Sequence, residues 1–267
     1  LHAVDSCIKP HYGDRRLIPS FGSDRLGDAN HALQPHAAPG LRGNDASIGE
    51  IGACHRKPHH VTQRGNRRQK LFTQPGDYAL YRDLLAERCD RNGVACWAYC
   101  LTPNHVHLIL TPIASDGLSR AVGEAHRRYT AFVNARARVT GHLFQGRFGC
   151  VAMDEAHMLN AVRYLAFNPV RAKLCAAPGE WQWSSVRAHL KGRNDALVEV
   201  RPVLAVAPRF GELLAISAAE QAELAAFESL GGNGRPIGDA TFLAFAEQKL
   251  GRRLRKAKPG PKPKLVG

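Results

Sequence analysis

The chain has 267 residues, 44% of them hydrophobic, so it can bury a sizeable core. It contains no uninterrupted apolar run of membrane-spanning length and no basic leader followed by an apolar stretch, so the expectation is a cytoplasmic protein without a membrane span. Lys plus Arg outnumber Asp plus Glu by 37 to 23, a net charge of +14, and such an excess implies a polyanionic partner, most simply nucleic acid.

Seven cysteines (Cys7, Cys54, Cys89, Cys96, Cys100, Cys150 and Cys175) form an odd set without a C-x-x-C pair. That pattern argues against a disulfide framework and fits a reducing compartment. Residues 1–56 are punctuated by Gly, Pro, His, Asp and Ser, as in Pro35-His36-Ala37-Ala38-Pro39-Gly40, and sustain no helical or strand period. They are expected to be a disordered extension or a consequence of the chosen start. The only methionines are Met153 and Met158.

Order is expected over 57–190. His59 to Arg64 reads as a strand ending at Gly65-Asn66. Asp77 can cap a helix to about Arg91, with Leu80, Leu84 and Leu85 on its apolar side, and Asn92-Gly93 stops it. Val94 to Leu101 is a second strand. Pro103 marks a turn, and the apolar run that follows should pair back as a hairpin. Ser115 or Asp116 caps a long helix to about Ala137. Phe148 to Met153 is a fourth strand, and a helix from about Glu155 should end before Pro169. Strand, helix, strand, strand, helix, strand is the ferredoxin-like order: an α+β fold, an antiparallel sheet with helices on one face. Residues 191–251 read as a helical C-terminal region. Ser217-Ala218-Ala219-Glu220 is a capping box for a helix to about Leu230, closed by Gly231-Gly232-Asn233-Gly234, and Asp239 caps another that ends at Gly251. Residues 252–267 form a basic tail, with no acid after Glu247, suited to a DNA backbone or to solvent.

The chemistry centres on Asn104-His105-Val106-His107-Leu108-Ile109-Leu110. On a strand, His105, His107 and Ile109 share one face and Val106, Leu108 and Leu110 the other. Two imidazoles side by side on a rigid element suit a divalent metal, although such a pair can equally be packed side chains. The long helix carries an apolar stripe of Leu118, Val122, Ala125, Tyr129, Phe132 and Val133. Tyr129 on that stripe is either a core tyrosine or, if the stripe faces the histidines, a nucleophile for a phosphodiester. Arg64, Arg67 and Arg68 can hold phosphates or stand in solvent, and Arg127, Arg128 and Arg147 are further candidates for phosphate contact. Trp181 and Trp183 can stack on bases or anchor the core. Cys96 and Cys100, on one strand before the histidines, make a poor tetrahedral zinc clamp.

Residues 58–185 resemble the single-tyrosine HUH transposases, especially the REP-associated tyrosine transposases of bacteria. The resemblance rests on His59-His60-Val61-Thr62-Gln63-Arg64-Gly65-Asn66, then Leu101-Thr102-Pro103-Asn104 leading into the His105/His107 strand, and Arg128-Tyr129-Thr130-Ala131-Phe132-Val133-Asn134. It continues through Gly141-His142-Leu143-Phe144-Gln145-Gly146-Arg147-Phe148, Asn168-Pro169-Val170-Arg171 and Trp183-Ser184-Ser185. Gly234 to Asp239 and the basic tail are similar to C-terminal extensions in this group. The resemblance implies a metal-dependent single-strand endonuclease and strand transferase that forms a 5′-phosphotyrosine. Tyr129 would be the nucleophile, and His105 and His107 would bind Mg²⁺ or Mn²⁺. A third ligand about one helical turn after the tyrosine is implied. Val133 occupies the position four residues on, so Asn134, five on, is the candidate. The implied partner is single-stranded or hairpin DNA, and the assembly, a monomer or a homodimer, stays open. Two alternatives are a domesticated DNA-binding protein that no longer cleaves and a binder of RNA hairpins.

Overall fold

The computed structural model describes residues 54–215, 234–251 and 253–254. The expected N-terminal extension up to residue 53, the helix expected over 217–230 and all but two residues of the basic tail lie outside them.

Four strands form one antiparallel sheet: β1 (His59–Arg64), β2 (Val94–Thr102), β3 (His105–Pro112) and β4 (Gly149–Ala152), in the order β2-β3-β1-β4. Helix α1 (Asp77–Arg91) joins β1 to β2, and α2 (Gly117–Ala137) joins β3 to β4. Order and pairing are those of the ferredoxin-like fold expected from the sequence. The tight Pro103-Asn104 turn makes β2 and β3 a hairpin and sets the register His107 opposite Cys100.

Both crossover helices pack on one face. Val61, Leu101, Val106, Leu108 and Leu110 from the strands meet Tyr81 and Leu85 of α1 and Leu118, Val122, Ala125 and Tyr129 of α2. These side chains are fully buried, and each aliphatic one contributes roughly 2 kcal/mol through burial. The α1 stripe differs from the expected one: Tyr81, Leu85 and Cys89 are buried, while Leu80 and Leu84 only flank the core. Asp77 is the first residue of α1 rather than its cap. Its carboxylate reaches back to accept from the amides of Thr73 and Gln74 and pairs with Arg136 of α2. Phe132, expected on the α2 stripe, points outward at 44% exposure beneath the Arg136 guanidinium.

A third helix, α3 (Glu155–Arg171), covers the opposite face, so the sheet is sandwiched rather than helical on one side only. Asp154 caps it, accepting from the amide of His157 at 2.8 Å. Met158, Ala161, Val162 and Leu165 pack on Cys100, Ile109 and Val151. The expected stop before Pro169 does not occur, and Pro169 lies inside the last turn. Its missing N–H costs one bond only, and burial of Phe167, Asn168 and Pro169 holds that turn in place.

Short helices follow: α4 (Val186–Leu190), α5 (Arg201–Val206) and α6 (Phe210–Leu213). Trp181 donates its indole N–H to the Leu101 carbonyl, and Trp183 stacks on Tyr78 with ring centroids 5.0 Å apart, so both anchor the core. Helix α7 (Ala240–Leu250) is capped by Asp239 and closed by Gly251 in the left-handed region, as its sequence signals indicate. Among the described residues no helix is long and apolar enough to cross a membrane.

Candidate active site

Strand alternation places His105 and His107 on the sheet face that α3 covers, next to Ile109 in the second core cluster. Hydrogen bonds at Nδ1 orient each ring. The Nδ1 of His105 lies 2.7 Å from Asn104 Oδ1 and 2.8 Å from Thr102 Oγ1. An amide oxygen only accepts, so Nδ1 carries the proton and Nε2 keeps its lone pair. The Nδ1 of His107 lies 3.1 Å from His60 Nε2, with the two rings edge to edge and only 18° out of a common plane.

Both Nε2 atoms converge on one side chain, Asn168 of α3. Asn168 Oδ1 lies 3.2 Å from His105 Nε2, and Asn168 Nδ2 lies 3.3 Å from His107 Nε2. Burial holds His107 well below the ordinary imidazole range, helped by the neighbouring His60, His105, Arg171 and Arg64. Burial likewise pushes His60 down to about 4. His107 and His60 are therefore neutral near pH 7, the form in which imidazole ligates metals.

Tyr164 stands one helical turn before Asn168 on the same side of α3. Its ring meets His107 edge-on at 5.2 Å and His60 at 6.0 Å. The Arg171 guanidinium lies over that ring, 4.2 Å from its centroid, and its Nη1 is buried with no hydrogen-bond partner among the described residues. A cleft of about 440 Å³ opens beside this group, lined by His60, Thr62, Gln63, Arg64, His105, Val106, His107, Gln145, Arg147, Gly149 and Tyr164. Gly149 keeps its floor clear, because a Cβ there would stand 2.8 Å from Thr62 Oγ1. The 141–148 loop is tied to β1 by the Gln145 amide, which donates to Arg64 O, and by Gln63 Nε2, which donates to Gly146 O. Those bonds bring Arg147 to the cleft beside Arg64.

The expected constellation is only partly assembled. Tyr129 lies on the opposite face of the sheet, fully buried among Phe72, Tyr81 and Phe144, with its hydroxyl donating to Leu71 O at 2.8 Å. Burial, with the Asp77 charge, pushes its phenol far above the usual range. It is the core tyrosine that its stripe also permits. Asn134 shares that helix, donates its amide to Gly141 O and does not meet the histidines. Arg127 and Arg128 pair with Glu124 on the outer side of the same helix. Arg67 and Arg68 are exposed in the 3-10 turn after β1, outside the cleft. Cys96 and Cys100 fall in different core clusters, because a bulge between Cys96 and Ala98 turns them to opposite faces, so they cannot clamp a zinc ion together.

His60, Asn168 and Arg171 stand in the sequence motifs without an assigned role, and Tyr164 lies outside those motifs. One signal could have found two of them: Tyr164 and Asn168 are four residues apart, the one-turn step that Tyr129 and Asn134 fail to make.

The donor set suits a divalent cation. Two imidazole nitrogens and an amide oxygen converge from two rigid elements, and the lone pair of His105 faces Asn168 Oδ1, an acceptor, across 3.2 Å. A Mg²⁺ or Mn²⁺ ion held there by His105, His107 and Asn168 would neutralise phosphate charge beside Tyr164.

A family model described as "Transposase IS200 like" matches residues 54–168, a span that ends on Asn168. Comparison with curated proteins finds no match. Among solved structures the chain is similar to a REP-associated tyrosine transposase bound to a REP hairpin, with 20% identity and a TM-score of 0.46, covering 55% of this chain and 88% of that one. Through residues 54–168, this chain is thus similar to the IS200-like transposases.

Proposed function

We propose that the protein is a metal-dependent nuclease and strand transferase acting on single-stranded or hairpin DNA, with Tyr164 as the nucleophile. The observation that carries this reading is the Asn168 side chain set against both His105 Nε2 and His107 Nε2, with Tyr164 one turn away on the same helix face. A family of DNA-processing enzymes and a net charge of +14 support the substrate class.

In the reaction Tyr164 Oη attacks the scissile phosphorus. The new P–Oη bond forms as the P–O3′ bond breaks. The phenol proton passes to solvent, and the departing 3′ oxygen takes one up. The product is a 5′-phosphotyrosine and a free 3′-hydroxyl, and the reverse attack rejoins a strand. The orphan Nη1 of Arg171 supplies a donor for a phosphate oxygen, while Arg64 and Arg147 hold the flanking backbone. Tyr164 is fully buried, so the cleft must open for the phosphate to reach it.

The test is a labelled single-stranded hairpin mixed with protein and Mn²⁺. The wild type should become covalently linked to the 5′ fragment, and Tyr164→Phe should give no adduct while binding the hairpin normally. An adduct formed by Tyr164→Phe would remove Tyr164 as the nucleophile.

A further inference from the structure

His60 is the one buried imidazole of this cluster without a role in the proposed site, and its ring lies edge to edge with His107, nearly coplanar with it. We infer that His60 is a positioning residue that fixes the tautomer and orientation of His107, and through it the third corner of the metal site. The inference rests on the proposed site, but its own evidence is geometric.

The β1–β3 register puts Thr62 opposite His107 and His60 opposite Ile109, so His60 is the next side chain along on the same face. The donor Asn168 Nδ2 points at His107 Nε2, which must therefore accept. A neutral ring that accepts at Nε2 carries its proton on Nδ1. That proton is directed at His60 Nε2, 3.1 Å away. If the pair switched together, with His60 donating to His107 Nδ1, the His107 proton would sit on Nε2 and the ligating lone pair would be gone. His105 needs no such lock, because Asn104 Oδ1 can only accept. His107 depends on a partner that can run in either direction, so the state of His60 decides whether His107 can ligate. Its neighbour His59 cannot substitute, since it belongs to the alternate strand position and its Nδ1 bonds to Lys57 O.

His60 and Tyr164 also fix the orientation of His107 from two sides, one ring coplanar through its hydrogen bond and one edge-on. Outer partners of this kind typically set metal affinity by 10–100-fold.

Two variants separate hydrogen bonding from packing. His60→Phe keeps a ring beside His107 and removes the acceptor, whereas His60→Gln keeps an acceptor without the ring. Binding of Mn²⁺ alone to the full chain is followed by calorimetry or by the spin-resonance signal of the free ion. The expected result is a roughly 10–100-fold weaker Kd for His60→Phe, with most of the loss regained in His60→Gln. Long-range proton–nitrogen correlation spectra of the metal-free chain give an independent readout. His107 should be protonated on Nδ1 in the wild type and should lose that single tautomer in His60→Phe. A wild-type His107 protonated on Nε2, or an unchanged Kd in His60→Phe, overturns the inference. If the wild type takes up no Mn²⁺, the metal reading itself fails, while the tautomer spectrum still decides for or against His60. Should His60→Phe not fold, the wild-type spectrum and the His60→Gln affinity remain decisive, and a His60→Gln protein with the Nε2 tautomer counts against the role.

Discussion

His107 and Tyr129 stand on opposite faces of one sheet. His107 faces α3, and Tyr129 of α2 shares a buried cluster with Val106 and Leu108, the alternate side chains of the same strand. Side-chain rotation cannot carry a phenol through a hydrogen-bonded sheet. Tyr129→Phe is therefore expected to form the covalent DNA adduct at the wild-type level. It should lose about 1 kcal/mol of stability in urea denaturation, because Leu71 O is left without its donor. Loss of the adduct with the fold intact would return Tyr129 to the reaction.

Asn168 and Asn134 make a second contrasting pair. Asn168 touches both histidines, whereas Asn134 bonds to Gly141 O at the far end of α2. Asn168→Ala should lower Mn²⁺-dependent nicking at least tenfold and weaken Mn²⁺ binding, and Asn134→Ala should change neither by more than about twofold. Excess EDTA should stop the wild type and added Mn²⁺ should restore it. Full nicking in EDTA would exclude a metal-assisted reaction.

The arginines divide by face. Arg64 and Arg147 line the cleft, while Arg127 and Arg128 are paired with Glu124 on the outside of α2. Replacing Arg64 and Arg147 together by Ala should flatten the plot of log affinity for single-stranded DNA against log salt by roughly 0.7 per lost phosphate contact. The same change at Arg127 and Arg128 should leave the slope alone. Arg171→Ala should act differently, lowering the rate of adduct formation at saturating DNA by about 10²-fold, as loss of a single preorganised donor does. Equal slopes for both arginine pairs would show that the cleft is not where the backbone binds.

His126 gives a pH signature independent of the DNA chemistry. Burial between α1 and the 141–148 loop pushes it down to about 3, and its Nε2 shares a hydrogen bond with the Tyr81 hydroxyl. The unfolded chain takes up this proton below about 6.5, and the folded chain does not until about 3. Its contribution to stability is thus complete above 6.5 and is lost as pH falls toward 3. Between pH 6 and pH 4.5 the wild type should lose about 2 kcal/mol more than His126→Phe, whose ring keeps the stack on Phe144. Parallel pH profiles from urea denaturation would show that His126 is protonated in the folded protein.

Much of this architecture is local and can be read along the chain. Alternation over His105 to Leu110 determines that the two histidines share a face, because successive strand side chains must point opposite ways. Caps at Asp154 and Asp239 and the stop at Gly251 mark helix ends for equally local reasons. The order of strands and helices leaves few topologies open, and the observed sheet is one of them. Periodicity also identifies Tyr129 as a residue facing inward. It cannot say which of two inward-facing layers the residue joins, because both faces of this sheet are covered and an apolar stripe fits either.

The tertiary structure alone decided that layer. Tyr164 hides in a run, Met158 to Phe167, that is apolar on nearly every side because its helix is packed against the sheet and the C-terminal helices at once. Asn168 precedes a proline, where local sterics favour leaving the helix, and only burial against the histidines carries α3 on to Arg171. The bulge at Trp97 that parts Cys96 from Cys100, and the register that sets His60 on His107, likewise follow from pairing between segments distant in sequence. Local spacing determines which side chains point together; contacts between layers determine what they point at, and here those contacts set Tyr164 and Asn168, rather than Tyr129 and Asn134, against the His105–His107 pair.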